Sequence, residues 1–485
     1  MLNITDAEIK RKIEFQNPWW ETSSIYSDQK LMTPRAYLPL FFNLFAKTSI
    51  KRAVVLMGPR RIGKTIMLFH SIQKLIDEEG VSAKDIIYFS IDSPNFTGMA
   101  LERLIEVAIG KNLKRSLKGV YVFFDEIQYL KGWEIHLKTL VDNYPGIKFV
   151  ASGSAAAALK LKSRESGAGR FTEFLLPPLT FFEFLQLQGK NELIQFKPQG
   201  KYFHDLNKEF INYLNYGGYP EAIFSPEMRE NPSRFIQSDI IDKVLLRDLP
   251  NLYGIKDVQE LYRLFTMLAF NTAQEVSLNE LSKSSGVEKP TLSRYMEYLE
   301  AAFLIRRLYR IDEKANRFKR DRMFKVYLTN ASMRPAIFGQ INAEDDSMGA
   351  LTETAIYSQM LHFEEDWHYA RWKNGEVDFV TLEKNKPTGC LEVKWSDNTL
   401  NDSRKIKGLI DFVSKHASTR NEAIVTTRSV IKEEKIQGVN VFYVPSSFYC
   451  LFKGEFNLGE KFSSNDLRFD DFFKRDKTEG KRGER

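Results

Sequence analysis

The sequence predicts a multidomain α/β protein whose first folded unit is a parallel sheet carrying a phosphate-binding loop. Three observations lead there. The apolar run Ala53-Val54-Val55-Leu56-Met57 is followed by Gly58-Pro59-Arg60-Arg61-Ile62-Gly63-Lys64-Thr65, and then by apolar residues at helical spacing (Ile66, Leu68, Phe69, Ile72, Leu75, Ile76). A second apolar run, Tyr121-Val122-Phe123-Phe124, ends in Asp125-Glu126. Across residues 35–180 further apolar runs alternate with helical patterns, as βα units do.

The order strand, G-x-x-x-x-G-K-T, helix has a physical logic. Glycines let backbone N–H groups wrap a phosphate, and the helix N-terminus adds partial positive charge. Lys64 then reaches the β- and γ-phosphates, and the Thr65 hydroxyl ligates Mg²⁺. Asp125 is expected to hold the same ion, directly or through water, with Glu126 as general base for the attacking water. The expected cofactors are therefore ATP and Mg²⁺. Expected strands are 53–57, 86–92, 120–125 and 147–152. The last runs into Ala151-Ser152-Gly153-Ser154, where Ser152 or Ser154 either senses the γ-phosphate or simply makes a turn. Arg170 after Gly169 is a candidate finger or sensor, with Arg164 as its rival and a solvated loop arginine as the plain alternative.

Composition bounds the rest. With 485 residues the chain exceeds what one core organises, and about three domains are expected. Seventy basic residues face 63 acidic ones, so a surface for nucleic acid must be local. Cys390 and Cys450 are the only cysteines, and the six histidines are scattered. This excludes a disulfide framework or zinc motif and suits a reducing cytoplasm. The first residues lack the pattern of a signal peptide, and no apolar run approaches a membrane span. A cytoplasmic protein without membrane partners is expected, possible homo-oligomerisation being left open.

The remaining segments follow in order. Residues 1–34 read as an N-terminal extension whose Trp19-Trp20 packs on the core or meets a partner. Residues 181–258 read as a helical lid or connector, broken at Gly217-Gly218-Tyr219-Pro220-Glu221. Residues 259–312 carry a winged helix-turn-helix pattern. One helix opens at Ser277, Ser285-Gly286-Val287 turns, and a second helix follows with Leu292, Tyr295, Met296 and Leu299 inward. Lys289, Thr291, Ser293 and Arg294 would then face DNA, although such modules also serve as protein contacts. Residues 313–344 form a basic linker in which Arg317, Lys319, Arg320, Arg322 and Lys325 are either solvated or a phosphate track.

Residues 345–460 form another α/β unit, with a helix over 349–363 carrying Glu353 and strands over 367–372, 376–383 and 389–395. Asp378 and Glu392 on neighbouring strands would share one hard cation, and Lys394, on the same face as Glu392, would orient the water that attacks a phosphodiester. The alternative is a surface strand of alternating charge. Residues 461–485 are polar, mixed in sign and expected to be disordered.

These motifs together resemble a prokaryotic family of AAA-type ATP-binding proteins, which joins an ATPase of the type AAA_14 to a C-terminal DUF4143 domain. The resemblance rests on the loop 58–65, Phe124-Asp125-Glu126-Ile127-Gln128, Ala151-Ser152-Gly153-Ser154, Gly169-Arg170 before Pro178-Leu179-Thr180-Phe181, Gly217-Gly218-Tyr219-Pro220, Glu376-Val377-Asp378-Phe379 and Glu392-Val393-Lys394. Asn330 departs from it, standing where the family often has an aspartate. The resemblance implies an ATPase sheet, a helical lid, a winged helix and a domain similar to the PD-(D/E)xK nucleases. In that pattern Glu353 is the helix acid, Asp378 the strand acid and Glu392/Lys394 the E-x-K pair. The expectation is a Mg²⁺-dependent ATPase acting on nucleic acid, DNA favoured over RNA, with a nuclease-like C-terminal domain. The alternative is an ATP-driven switch or scaffold whose later domains bind without cleaving.

Overall fold

The computed structural model describes residues 5–46, 50–96, 98–114, 116–153, 169–195, 201–318, 323–361, 365–400, 402–456 and 458. Ser154, Arg164, Lys319, Arg320, Arg322 and the charged segment 461–485 lie outside these residues. The first sheet contains β1 (Ala53–Met57), β2 (Ile86–Ser90), β3 (Val120–Asp125), β4 (Ile147–Gly153) and β5 (Phe171–Leu175) in the order β2-β3-β4-β1-β5, all parallel. β4, which ends in Ser152-Gly153, thus lies between the two strands that carry the phosphate loop and the acid pair.

Side chains alternate across this sheet, and both faces are covered, which explains why its strands read as continuous apolar runs. Val54 and Leu56 point to one face, into a core shared with Phe41, Phe42, Phe45 and the helix Lys64–Asp77. Ala53, Val55 and Met57 point to the other, against the helices Leu101–Ile109 and Trp133–Asn143. The N-terminal extension closes the exposed edge at β2. The Asn17 side chain donates to the Tyr88 carbonyl (2.9 Å) and accepts from the Tyr88 amide (2.7 Å), and the indoles of Trp19 and Trp20 both donate to the Ile86 carbonyl. An edge strand left open would invite pairing with another chain, and here side chains stand in for the missing strand. Trp19 is fully buried.

A helical region follows. The helix Phe181–Leu187 starts at a capping box between Thr180 and Glu183, and the long helix Tyr202–Tyr216 leads to Gly217-Gly218. At Gly218 the backbone runs so close to the Asn330 side chain that an added Cβ would lie 1.7 Å from its Nδ2. Only glycine fits. The chain then passes through two π-helical stretches, Ile236–Asp242 and Val244–Asp248, before the helix Leu249–Tyr253.

The helices Leu278–Ser285 and Lys289–Ala301 form a helix-turn-helix. Ser277 and Glu280 make a capping box at its start, and Gly286, at φ 75°, closes the first helix in the left-handed region. Leu292, Tyr295, Met296 and Leu299 face inward.

Two boundaries read from sequence are corrected here. The segment 313–344 is not a linker: it contains β8 (Met323–Leu328) and the helix Met333–Phe338, both largely buried. Nor is the C-terminal unit separate. A nine-stranded sheet runs in the order β13-β14-β12-β11-β10-β9-β7-β8-β6. It joins β6 (Glu275–Ser277), β7 (Ile305–Ile311) and β8 to β9 (Trp367–Trp372), β10 (Gly375–Glu383), β11 (Lys386–Glu392), β12 (Glu422–Thr427), β13 (Lys432–Ile436) and β14 (Val439–Pro445). The seam is a parallel pairing of β7 with β9, Tyr309 opposite His368. Sequence periodicity locates strands but not which strand a given edge accepts as its neighbour.

Candidate functional site

The phosphate loop is built as its sequence requires. Gly63 adopts φ 90°, where a side chain would be strained, and a Cβ at position 58 would stand 2.3 Å from the Leu176 carbonyl oxygen. Arg61 also sits in the left-handed region, at φ 64°. The Lys64 ammonium is buried and donates to the loop's own carbonyls, Pro59 at 2.7 Å and Gly58 at 3.1 Å. Burial lowers its pKa, an effect partly offset by Glu126 and Asp125.

Asp125 at the end of β3 is a hub. Its Oδ2 accepts from the Thr65 hydroxyl (2.7 Å) and the Tyr88 hydroxyl (2.8 Å), and its Oδ1 accepts from the Ser152 hydroxyl and the Glu126 amide (3.2 Å). Burial first and Asp125 second push the Tyr88 phenol well above its usual range, so Tyr88 stays a donor. Glu126 follows in the left-handed region (φ 54°), its amide donating to Ser152 Oγ at 3.1 Å and its carboxylate accepting from Gln128. Burial raises the Glu126 pKa, Lys64 lowers it, and Asp125 raises it further. Thr65 and Asp125 are hard oxygen donors in contact, which fits a magnesium ion beside a nucleotide phosphate.

Lys64, Thr65 and Glu126 border a cavity of about 500 Å³, walled also by Met32 and Thr33 of the N-terminal segment and by Pro220, Glu221 and Phe224 after the Gly217-Gly218 break. Ion pairs cross from loop to helical region: Arg60 to Asp248 at 2.9 Å, Arg61 to Glu221 at 2.8 Å and to Asp239 at 3.8 Å. Sequence reasoning placed Arg60 and Arg61 in the loop but not in this clasp. It missed Arg35 and Tyr88 altogether. Arg35 bonds Glu183 in a two-pronged pair (2.7 and 2.8 Å) and donates to the Ile62 carbonyl at 2.6 Å, locking the loop from behind. A lone arginine ahead of the first strand carries no motif that would have flagged it.

Two expectations are corrected. Arg170 does not reach the phosphate loop of its own chain. Its carbonyl pairs with the Ala53 amide, at the opposite end of β1, and its guanidinium pairs with Asp142. Parallel pairing of β5 with β1 sets the start of one strand beside the start of the other. Ser152 is fully buried, and its hydroxyl is committed to Asp125, so it positions that carboxylate rather than touching a nucleotide.

A second cluster gathers in the nine-stranded sheet. Glu353, Asp378, Glu392 and Lys394 do converge, but with two partners not expected, Lys325 and Glu376. Asp378 Oδ2 accepts from the Val393 amide at 2.9 Å, and Lys394 Nζ donates to Glu392 Oε1 at 2.7 Å. Lys325, read from sequence as linker charge, is buried with its Nζ 2.9 Å from Glu376, 3.0 Å from Glu353 and 3.2 Å from Asp378. Burial and the neighbouring Asp378 push Glu353 up to about 7 and Glu392 up to about 8; burial lowers both lysines, but Tyr327 and the carboxylates around Lys325, and Glu392 and Asp378 beside Lys394, hold them above their usual range. Each carboxylate of the expected metal pair Asp378/Glu392 thus has an ammonium against it, Lys325 at Asp378 and Lys394 at Glu392. Among the described residues no group of three or more His, Cys, Asp or Glu is arranged to hold a metal.

On the helix Lys289–Ala301, Lys289 and Arg294 are exposed and Thr291 is half-buried, accepting from Arg294 at 3.4 Å. Arg317 is exposed and paired with Asp366. Among the described residues no helix is long and apolar enough to cross a membrane.

Comparison with known proteins places part of this architecture. Residues 50–185 match the AAA domain family AAA_14, and residues 207–344 match the domain of unknown function DUF8612. The second match spans part of the helical region, the helix-turn-helix and β8. An uncharacterized protein of Haemophilus influenzae is 22% identical over 80% of this chain and 92% of its own length. The uncharacterized protein MJ1544 of Methanocaldococcus jannaschii is 25% identical over 84% of this chain and 89% of its own. Among solved structures, the Walker-type ATPase paby2304 of Pyrococcus abyssi has a TM-score of 0.33 at 16% identity, covering 64% of this chain and 99% of that one. A single-residue variant of Thermotoga maritima RuvB has a TM-score of 0.27 at 20% identity, covering 56% of this chain and 87% of that one. The chain thus carries an AAA-type ATPase domain with a P-loop parallel sheet, followed by further α/β structure.

Proposed function

We propose that the protein is a Mg²⁺-dependent ATPase working as a switch, whose nucleotide state is relayed through the helical region to a nucleic-acid-binding helix-turn-helix. The observation that carries this reading is the meeting of Lys64, Thr65, Asp125 and Glu126 at one mouth. Magnesium, when bound, would neutralise charge on the β- and γ-phosphates between Thr65 and Asp125. Lys64 would exchange the Gly58 and Pro59 carbonyls for phosphate oxygens. Glu126, held by Gln128, would accept the proton of the attacking water at its carboxylate, and its raised pKa strengthens it as a base. Tyr88 and Ser152 keep the Asp125 carboxylate oriented.

The relay reading rests on Arg60 and Arg61, which lie in the loop yet pair with Asp248, Glu221 and Asp239. A bound polyphosphate competes for both guanidinium groups, and every bond so lost loosens the clasp. Lys289 and Arg294 on the exposed face of the second helix are the proposed phosphate contacts, with Thr291 beside them. Lys319 and Arg320 belong to the same proposal, carried by sequence alone.

An ATPase assay with and without single-stranded DNA, double-stranded DNA and RNA tests the proposal. Glu126→Gln should bind ATP as the parent does yet lose turnover by about 10²–10⁴-fold. Turnover that no nucleic acid changes, together with no binding to any of them, would leave the ATPase standing and remove the nucleic-acid half.

A further inference from the structure

Lys325 occupies an unusual place for a lysine. It lies in β8, paired through its backbone with Glu275 of β6 and Leu308 of β7, between the buried residues Phe324 and Val326. Its side chain is 5% exposed. A charge so placed is costly unless it is paired. Here three carboxylate oxygens stand at 2.9, 3.0 and 3.2 Å from one Nζ, and those of Glu353 and Asp378 accept hydrogen bonds from it. Tyr327, two residues on and therefore on the same face of the strand, donates to the same Glu353 oxygen at 2.5 Å. The fourth carboxylate, Glu392, has Lys394 at 2.7 Å.

From this geometry we infer that Lys325 is the resident cation of the cluster: tethered to β8, it fills the position between Glu353 and Asp378 that a divalent ion would need, so the native chain holds no such ion there. The contact distances are those of an ammonium, whereas Mg²⁺ requires oxygens near about 2.1 Å in an octahedron. A divalent ion entering from solvent would have to drive a buried ammonium away from three carboxylates. The covalent tether also keeps the ammonium at high effective concentration beside its partners, an advantage a free ion lacks. The cluster then works as a strut. It ties β8, which borders the helix-turn-helix, to β10 and to the helix Met348–Ser358, and it leaves Glu392 and Lys394 as a pair without a metal to serve.

The test is a calorimetric titration of the nucleotide-free full chain with Mn²⁺. Any Mn²⁺ held at Thr65 and Asp125 is common to all variants and cancels. The parent and Asp378→Asn should give the same titration, because the parent has no divalent site in this cluster to lose. Lys325→Gln should gain one Mn²⁺ per chain, and Lys325→Gln/Asp378→Asn should lose that site or weaken it at least tenfold. Lys325→Arg, which keeps the charge, should match the parent. Mn²⁺ should raise the melting temperature of Lys325→Gln by more than it raises that of the parent. Two results overturn the inference: a parent site that Asp378→Asn removes, or a folded Lys325→Gln that takes up no additional ion. If Lys325→Gln does not fold, the comparison of the parent with Asp378→Asn still decides.

Discussion

Arg35→Ala is the perturbation with the largest expected effect outside the motifs. The guanidinium is 5% exposed and its partner Glu183 1% exposed, and the two meet through paired contacts of 2.7 and 2.8 Å. Arg35 also donates to the Ile62 carbonyl at 2.6 Å and the Pro177 carbonyl at 3.1 Å. Truncation leaves Glu183 buried with only the Ala36 and Thr180 amides, at 3.1 and 3.3 Å, as donors from outside its own helix. Breaking one half of a buried pair costs about 3–5 kcal/mol. For a domain of roughly 150–250 residues this lowers the melting temperature by about 6–20 °C. Removing both charges, in Arg35→Met/Glu183→Leu, should recover more than half of that loss, because no unpaired carboxylate remains. ATP affinity should fall about tenfold in Arg35→Ala, since the Ile62 carbonyl loses the donor that fixes the loop next to Arg61. Calorimetric melting and a fluorescent ATP-analogue titration read the two effects. A single variant melting within about 2 °C of the parent would refute the argument, as would a double variant no better than the single one.

Three further outcomes are expected. Lys64→Ala should abolish measurable ATP binding in the same titration while leaving the fold intact, because the loop carbonyls it occupies can be solvated once the ammonium is gone. Stability of the part of the chain built on the nine-stranded sheet should fall as pH rises. Glu353 and Glu392 have folded pKa values raised to about 7 and 8 above an ordinary 4.5, so the folded state binds more protons than the unfolded one across that window, and their contribution is complete below about pH 4.5 and lost through pH 8. Urea midpoints at about pH 5, 6.5 and 8 measure this, and a rising midpoint would reverse the sign. Lys289→Glu/Arg294→Glu should weaken nucleic-acid binding and flatten the slope of log K against log salt by about 2, whereas Arg317→Glu should change it less, because Asp366 already neutralises Arg317.

Local features are legible in the amino-acid order alone. The strand, loop and helix order at residues 53–77 is visible because glycines and a Lys-Thr pair at fixed spacing leave few other conformations. The apolar end of β3 before Asp125-Glu126 is legible because a fully buried strand carries no alternation to mislead. The helix-turn-helix shows through Ser277, Gly286 and the inward spacing of Leu292, Tyr295, Met296 and Leu299. The two-residue period of a strand puts Glu392 and Lys394 on one face, and Asp378 joins them through the pairing of β10 with β11. What these groups meet depends on how the elements pack. Arg170 has the sequence neighbourhood of a phosphate contact but lies at the far end of β1, because parallel register ties strand start to strand start. Arg35 meets Glu183 across 148 residues of chain. Lys325 reads as one of several solvated charges until β8 pairs with β6 and β7 and turns it inward. Periodicity reports which face a residue occupies on its own element, and it carries no term for the element packed against that face. The cation between Glu353 and Asp378 comes from such an element, so only the assembled sheet could supply it.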